Sequence, residues 1–121
     1  MTYYSGDERR KFSRINANFV VSYRILEEID NYDISQTKNI CIGGMLLTTN
    51  VPFEPGTRLN LEIRVPFNSN KDPINIVGRV IESKVITNNL IYDTRLEFLT
   101  IDNPSKEAVE KTVEYFSKRK K

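Results

Sequence analysis

The chain contains no histidine and only one cysteine, Cys41, among its 121 residues. Without histidine, the commonest general base and the commonest transition-metal ligand are missing, which excludes the usual hydrolytic triads. A single cysteine excludes an intramolecular disulfide and any zinc site built from several thiolates. The acidic residues are scattered and do not have the spacing of a calcium-binding loop. We therefore predict no catalytic residues, no enzyme activity, no metal site and no cofactor.

The chain also lacks a long hydrophobic run and a large excess of charge. No segment approaches the ~20 apolar residues that span a bilayer, and the polar N-terminus has no apolar signal core. We therefore expect a cytoplasmic protein without a membrane span. Eighteen basic residues against 16 acidic ones give a net charge of +2. This excess is small for a protein that binds duplex DNA, so no DNA partner is expected.

The hydrophobic pattern predicts one domain of five or six short strands followed by a helix. Polar residues 27–38 indicate a loop or an irregular hairpin, and Gly43-Gly44 indicates a bulge inside the second strand. Gly78 predicts a bend inside a long strand. Short strands with internal bends favour a closed barrel, because closure removes exposed edges. The predicted strands cover residues 19–26, 40–49, 59–65, 74–86 and 92–98.

Turn and helix signals divide these strands and end them. Pro55-Gly56 suits the two central positions of a type II turn, and Asn88-Asn89 suits a hairpin. Asn103 followed by Pro104 predicts the start of a helix, with Asn103 as its N-cap. The helix has one apolar stripe, which we expect to pack on an open end of the barrel. The stripe consists of Val109, Val113 and Phe116.

Two polar motifs lie on either side of the first predicted strand. Arg10 and Arg14 are four residues apart, and each guanidinium can donate two parallel hydrogen bonds to a phosphate or to the O6 and N7 atoms of guanine. Asn39 offers both a donor and an acceptor, and Gly43-Gly44 would let a ligand approach the backbone. Taken singly, each motif has a plainer interpretation, as a solvated basic arm or as an ordinary strand with a glycine bulge.

Together the motifs resemble the PilZ family, in which R-x-x-x-R is followed by (D/N)-x-S-x-x-G. Here the matching residues are Arg10-x-x-x-Arg14 and Asn39-x-Cys41-x-x-Gly44, and the resemblance covers about residues 8–100. It implies a mainly β fold, a six-stranded antiparallel barrel with a C-terminal α-helix. Residues 1–16 would be a flexible arm, residues 17–101 the barrel and residues 102–121 the helix, all within one domain.

The resemblance also implies a ligand, the bacterial second messenger cyclic di-GMP. Arg10 and Arg14 would bind its phosphates and guanine edges, Asn39 would bond a guanine edge, and Gly44 would keep the strand surface open. Arg9, directly before the arginine pair, favours a stacked pair of ligand molecules over a single one. Ligand binding would order the arm and signal to an unidentified protein partner. The expected binding residues are Arg9, Arg10, Arg14, Asn39, Cys41, Gly43 and Gly44.

Two residues depart from the family pattern. Cys41 stands where the family usually has serine, and a lost hydrogen bond of about 0.5–1.5 kcal/mol would weaken binding about tenfold. Arg95 stands in the last strand where the family often has glycine. These departures leave open a PilZ-like adaptor that acts only through protein contacts. A barrel that binds single-stranded nucleic acid is a weaker alternative, because the charge is low. Asp33-Ile34-Ser35 opens like the second motif, but Lys38 replaces its glycine and we reject it.

Overall fold

A computed structural model of the chain describes residues 14–28, 32–67, 73–88 and 90–119. Its strands and helix follow the order that the sequence predicts, with one strand more than the five ranges above. The elements are β1 (Val20–Ile25), β2 (Asp33–Cys41), β3 (Gly44–Thr49), β4 (Arg58–Ile63), β5 (Ile74–Thr87), β6 (Ile91–Thr100) and α1 (Asn103–Arg119).

The six strands form a closed barrel in the order β1-β2-β3-β6-β5-β4, and β4 pairs with β1 to complete it. Every neighbouring pair is antiparallel. The predicted fold, a six-stranded antiparallel barrel with a C-terminal helix, is therefore confirmed. Alternate residues face the interior, as β4 shows, because Leu59, Leu61 and Ile63 are fully buried while the residues between them are not.

The second predicted strand is wrong in its bounds. Residues 33–41 form one strand and residues 44–49 another, so Gly43 lies in the hairpin turn between them and Gly44 begins β3. Residues 33–38, the second half of the predicted loop, belong to β2, whose first four residues are at most half-buried. A strand with few side chains in the barrel interior has few hydrophobic residues at alternating positions, so the sequence did not indicate a strand here.

The two predicted turns lie where they were expected. Thr57 donates its backbone N–H to the Glu54 carbonyl at 3.1 Å, and Gly56 has a φ of 94°, as the third position of a type II turn requires. Asn88 has a φ of 44° between β5 and β6. Gly78 coincides with a shift in the β5–β6 register, which is the irregularity expected there.

The helix begins at Asn103, one residue earlier than predicted, and its N-cap is Asp102. The Asp102 side chain, rather than Asn103, accepts the backbone N–H of Ser105 at 2.8 Å, which is the N-cap arrangement. Hydrogen bonds from the Ser105 backbone, and to a lesser extent from its side chain, hold the pKa of the Asp102 carboxyl below its usual value. The predicted stripe is confirmed, since Val109 and Val113 are buried and Phe116 packs against the same core.

Helix α1 lies across one end of the barrel. It contacts β2 and β5, which stand on opposite sides of the six-stranded ring. Two aromatic contacts fix it there, Phe19 with Phe116 at 5.8 Å and Phe67 with Tyr115 at 5.0 Å between ring centroids. Within the helix, the rings of Tyr115 and Phe116 also contact each other, at 5.2 Å. Among the helical residues that the structure describes, no stretch is long and apolar enough to cross a membrane.

Candidate functional site

A β-bulge in β2 places Asn39 on the outer surface of the barrel. Thr37 pairs with Leu47, but the next pair is Asn39 with Leu46, so Lys38 is the extra residue. Thr37 and Ile40 are both fully buried, although three residues apart in a strand they would normally face opposite sides. The extra residue therefore gives two outward positions in succession, and Asn39 takes the second.

A single backbone bridge brings Arg14 to the same surface. Ile15 donates its N–H to the Ile40 carbonyl at 3.0 Å and accepts the Ile40 N–H at 3.1 Å. Ile15 is 1% exposed, so its side chain faces the core. The antiparallel pairing then places Arg14, which is exposed, alongside Cys41, and Asn16 alongside Asn39. The second arginine of the first motif thus adjoins the centre of the second motif.

The segment between this bridge and β1 is held by one buried hydroxyl. Thr37 Oγ1 donates to the Ala17 carbonyl at 2.5 Å and accepts the Phe19 N–H at 3.0 Å. Asn18 Nδ2 donates to the Thr37 carbonyl at 2.8 Å. Sequence reasoning missed both Thr37 and Ile15. The available signal was an isolated isoleucine in a polar segment, which indicates an anchoring point.

Gly44 is required by the approach of β6. A Cβ at this position would collide with the Leu96 backbone carbonyl oxygen and would lie 3.3 Å from the Glu97 Cα. Gly43 accepts the Phe98 N–H at 2.9 Å on the same side. Because the obstructing atoms are backbone, no side-chain rotation could relieve the contact. The glycine of the second motif therefore sets the distance between β3 and β6, apart from any role toward a ligand.

Asn39 and Cys41 contribute the polar groups at the centre of this surface. Among the described residues, no hydrogen bond engages the side chain of Asn39 or Cys41, and both are half-buried. The neighbouring charges are paired instead, since Lys38 Nζ lies 2.9 Å from Asp93 Oδ1 and Arg79 forms two hydrogen bonds with Glu97. Free donors and acceptors bounded by neutralised ion pairs suit a ligand that brings its own hydrogen-bonding groups.

Two of the expected binding residues, Arg9 and Arg10, lie outside the described residues. The structure brings together the other five, Arg14, Asn39, Cys41, Gly43 and Gly44, around the β2–β3 turn. The described residues contain no cluster of three potential metal ligands.

The rejected motif at Asp33 lies at the opposite end of β2. It borders an open cleft of about 150 Å³ that also includes Tyr23 and Asn50. Burial, reinforced by the Asp33 charge, raises the pKa of Tyr23 above its usual value. The Ile15–Ile40 bridge, and with it Arg14, lies at the other end of the strand, so Arg14 does not adjoin Asp33.

Three solved structures are similar to this chain in fold. The structure of the Bacillus subtilis inhibitor of motility (MotI/DgrA) is 22% identical with a TM-score of 0.72, over 93% of this chain and 51% of that one. The K. pneumonia MrkH–c-di-GMP complex is 20% identical with a TM-score of 0.66, over 93% of this chain and 56% of that one. The chain therefore spans about half the length of these two relatives.

The third structure has nearly the same extent as this chain. It is the PilZ domain of YcgR from Escherichia coli with c-di-GMP, which is 14% identical with a TM-score of 0.62, over 93% of this chain and 94% of that one. Comparison with curated proteins finds no significant sequence match. The family comparison matches residues 8–115 to the PilZ domain, which is most of the chain. The chain with its barrel, its β2–β3 turn and its C-terminal helix thus belongs to the PilZ domain family.

Proposed function

We propose that this protein is a cytoplasmic bacterial receptor for cyclic di-GMP. Its binding surface would consist of Arg14 and the β2–β3 turn, completed by Arg9 and Arg10 from the N-terminal segment. The Ile15–Ile40 bridge is the observation that carries the proposal, because it places Arg14 beside the free polar side chains of the second motif. Two of the solved relatives are complexes with this nucleotide.

The ligand chemistry fits the side chains available. Cyclic di-GMP presents two phosphates, which arginine forks bind in a bidentate manner, and guanine edges with both donors and acceptors. Asn39 can satisfy a donor and an acceptor on one guanine edge. Arg9, next to the arginine pair, would stack on a guanine face and offset the charge of a second ligand molecule. We therefore propose a stacked pair of ligands.

Binding would be transmitted through the segment that connects the arginines to β1. This segment contacts β2 through Thr37 and contacts α1 through Phe19 and Phe116. An arm ordered by ligand at Arg14 is therefore continuous with residues that touch the helix. We propose that the reshaped surface of the arm and the helix binds a protein partner.

Calorimetry with cyclic di-GMP tests the proposal. The parent protein should release heat with micromolar affinity, and two ligands per chain would indicate the stacked pair. Arg14→Ala and Arg10→Ala should each lower the affinity at least tenfold, because each removes a charge-assisted fork. Lys106→Ala, which removes an exposed positive charge on α1, is the matched control and should bind like the parent. No heat from the folded parent at tens of micromolar ligand would refute the proposal.

A PilZ-like adaptor without nucleotide is the second candidate. The observation in its favour is Cys41, whose thiol is a weaker hydrogen-bond donor than the serine hydroxyl of the family pattern. The same titration separates the two candidates, because an adaptor would give no heat with any variant and would retain its protein contacts.

A further inference from the structure

A row of side chains on the outer face of the barrel runs from Asn39 toward β5. Asn39 pairs with Leu46, Leu46 pairs with Arg95, and Arg95 pairs with Glu82. Directly opposed residues of antiparallel strands point to the same face, so these four side chains lie side by side. Asn39 and Arg95 stand on β2 and β6, two strands apart, which corresponds to about 10 Å between their backbones.

Leu46 forms the floor between the two polar residues. It is half-buried, whereas its neighbours Met45 and Leu47 face the core. An apolar floor with a hydrogen-bonding group on either side suits a flat, polar-edged ring such as a purine. Asn39 can reach one edge of a base lying on Leu46, and the longer Arg95 side chain can reach the opposite edge.

The guanidinium of Arg95 is free to bond such a ring. Its contact with a carboxylate is Nε to Glu82 Oε2 at 3.8 Å, which is beyond hydrogen-bond distance. Lys84 Nζ lies at the same 3.8 Å from that Glu82 oxygen, so two cations share one carboxylate. Arg79, one row away, directs its Nε and Nη2 donors to Glu97. Among the described residues of this row, Arg95 is therefore the cation with donors to spare, and its side chain is 41% exposed.

We propose that Arg95 is a specificity-determining residue that binds the O6 and N7 edge of a guanine lying on Leu46, with Asn39 on the opposite edge. This inference rests on the proposed binding of cyclic di-GMP and deepens it. Guanine presents two acceptors at that edge and matches the two donors of an arginine fork, whereas adenine presents an acceptor and a donor. Arg95 would therefore select cyclic di-GMP over cyclic di-AMP.

Titrations with cyclic di-GMP and cyclic di-AMP test the assignment. Arg95→Met keeps an apolar stem over Leu46 and removes the fork, so it should lower cyclic di-GMP affinity about tenfold and narrow the preference over cyclic di-AMP. Arg95→Lys should not restore the preference, because an ammonium is a point charge without the planar fork. Lys84→Met also removes one positive charge beside the Glu82 carboxylate. Its cyclic di-GMP affinity should stay within about twofold of that of the parent.

The outcomes separate this inference from the proposed function. If the parent and Lys84→Met bind cyclic di-GMP while Arg95→Met binds equally well, the role of Arg95 is refuted and the receptor proposal stands. Two other results would refute the contact with the base edge and indicate general charge attraction instead. One is full preference for cyclic di-GMP over cyclic di-AMP in Arg95→Lys, and the other is a loss of cyclic di-GMP affinity in Lys84→Met equal to that in Arg95→Met. If the folded parent binds neither nucleotide, both proposals fail. Melting temperatures within about 2 °C of the parent show that the variants are folded.

Discussion

The two ends of the barrel differ in whether their polar side chains have hydrogen-bond partners within the protein. At the end covered by α1, the motif end, the side chains of Asn39 and Cys41 have no partner among the described residues. At the opposite end, the far end, three hydroxyls form a continuous hydrogen-bonded chain. Ser83 and Thr94 lie 2.7 Å apart, Thr94 and Thr49 lie 2.8 Å apart, and Thr49 donates to the Val51 carbonyl at 2.8 Å.

The direction of this chain is fixed by its two termini. Thr49 gives its proton to a carbonyl, so Thr94 must donate to Thr49 and Ser83 to Thr94, while Ser83 accepts the Phe53 N–H at 3.1 Å. Each hydroxyl therefore donates once. The chain fastens the segment after β3 to the β5–β6 hairpin. Polar groups at the far end stabilise the fold, whereas those at the motif end are available to another molecule.

Gly44→Ala should have the largest effect on stability, because it disrupts the close contact between Gly44 and the β6 backbone at the motif end. The added methyl would meet the Leu96 carbonyl, and relief would require β3 and β6 to separate. We expect a loss of about 3 kcal/mol in the free energy of unfolding, at the upper end of the usual cost of overpacking, measured by urea denaturation. Gly78→Ala is the control, since its Cβ would lie 3.2 Å from a Leu61 side-chain atom and 3.3 Å from the Glu97 carbonyl oxygen, both wider than the contact at Gly44, and should cost less. Equal costs for the two variants would contradict this interpretation.

Ile15→Ala should have the next largest effect and should lower both stability and ligand affinity. Removing a buried side chain costs about 2–3 kcal/mol at a site near the edge of the core. Because the Ile15–Ile40 bridge positions Arg14, cyclic di-GMP affinity should fall as well. Ile34→Ala, on β2 but 74% exposed, should change neither quantity. Lower stability with unchanged affinity would mean that the bridge does not position Arg14.

Thr94→Val should destabilise the protein without affecting the ligand. It keeps the shape of a fully buried side chain but leaves the Ser83 proton without its acceptor and Thr49 without its donor, at a cost of about 1–3 kcal/mol. The exposed Thr100→Val is the control. Cyclic di-GMP affinity should match that of the parent, since the hydroxyl chain belongs to the far end. A change in affinity comparable to that of Ile15→Ala would remove the distinction between the two ends.

The sequence predicted the barrel and its helix because these depend on patterns that repeat along the chain. The alternation in β4, the Pro55-Gly56 turn and the apolar stripe of α1 each produced a local element that the structure contains. The bulge at Lys38 and the bridge at Ile15 correspond to no repeating pattern in the sequence, so they were not predicted. Both depend on pairing between residues distant in the chain, where a shift of one residue moves a side chain from the interior to the surface.

The positions of the candidate site residues were predictable only in part, for the same reason. The spacing of the motifs selected Arg14, Asn39 and Gly44, and the structure places them around one turn. The sequence did not predict that Gly44 would be constrained by β6, or that Arg95 would share a row with Asn39. These relations depend on the order β2-β3-β6 in the barrel, which brings residues some fifty positions apart to adjacent strands.

Cys41→Ser should have the smallest effect on stability and should raise affinity. Cys41 is half-buried beside Arg14 at the motif end, so a smaller hydroxyl fits there without disturbing the core. A hydroxyl donates a stronger hydrogen bond than a thiol, and one added bond of about 0.5–1.5 kcal/mol corresponds to at most about a tenfold gain in cyclic di-GMP affinity. Cys41→Ala lacks any donor and should not gain affinity. If alanine and serine strengthen binding equally, the size of the thiol rather than its hydrogen bonding limits the parent, and the motif end would be restricted by shape instead of by an unsatisfied polar group.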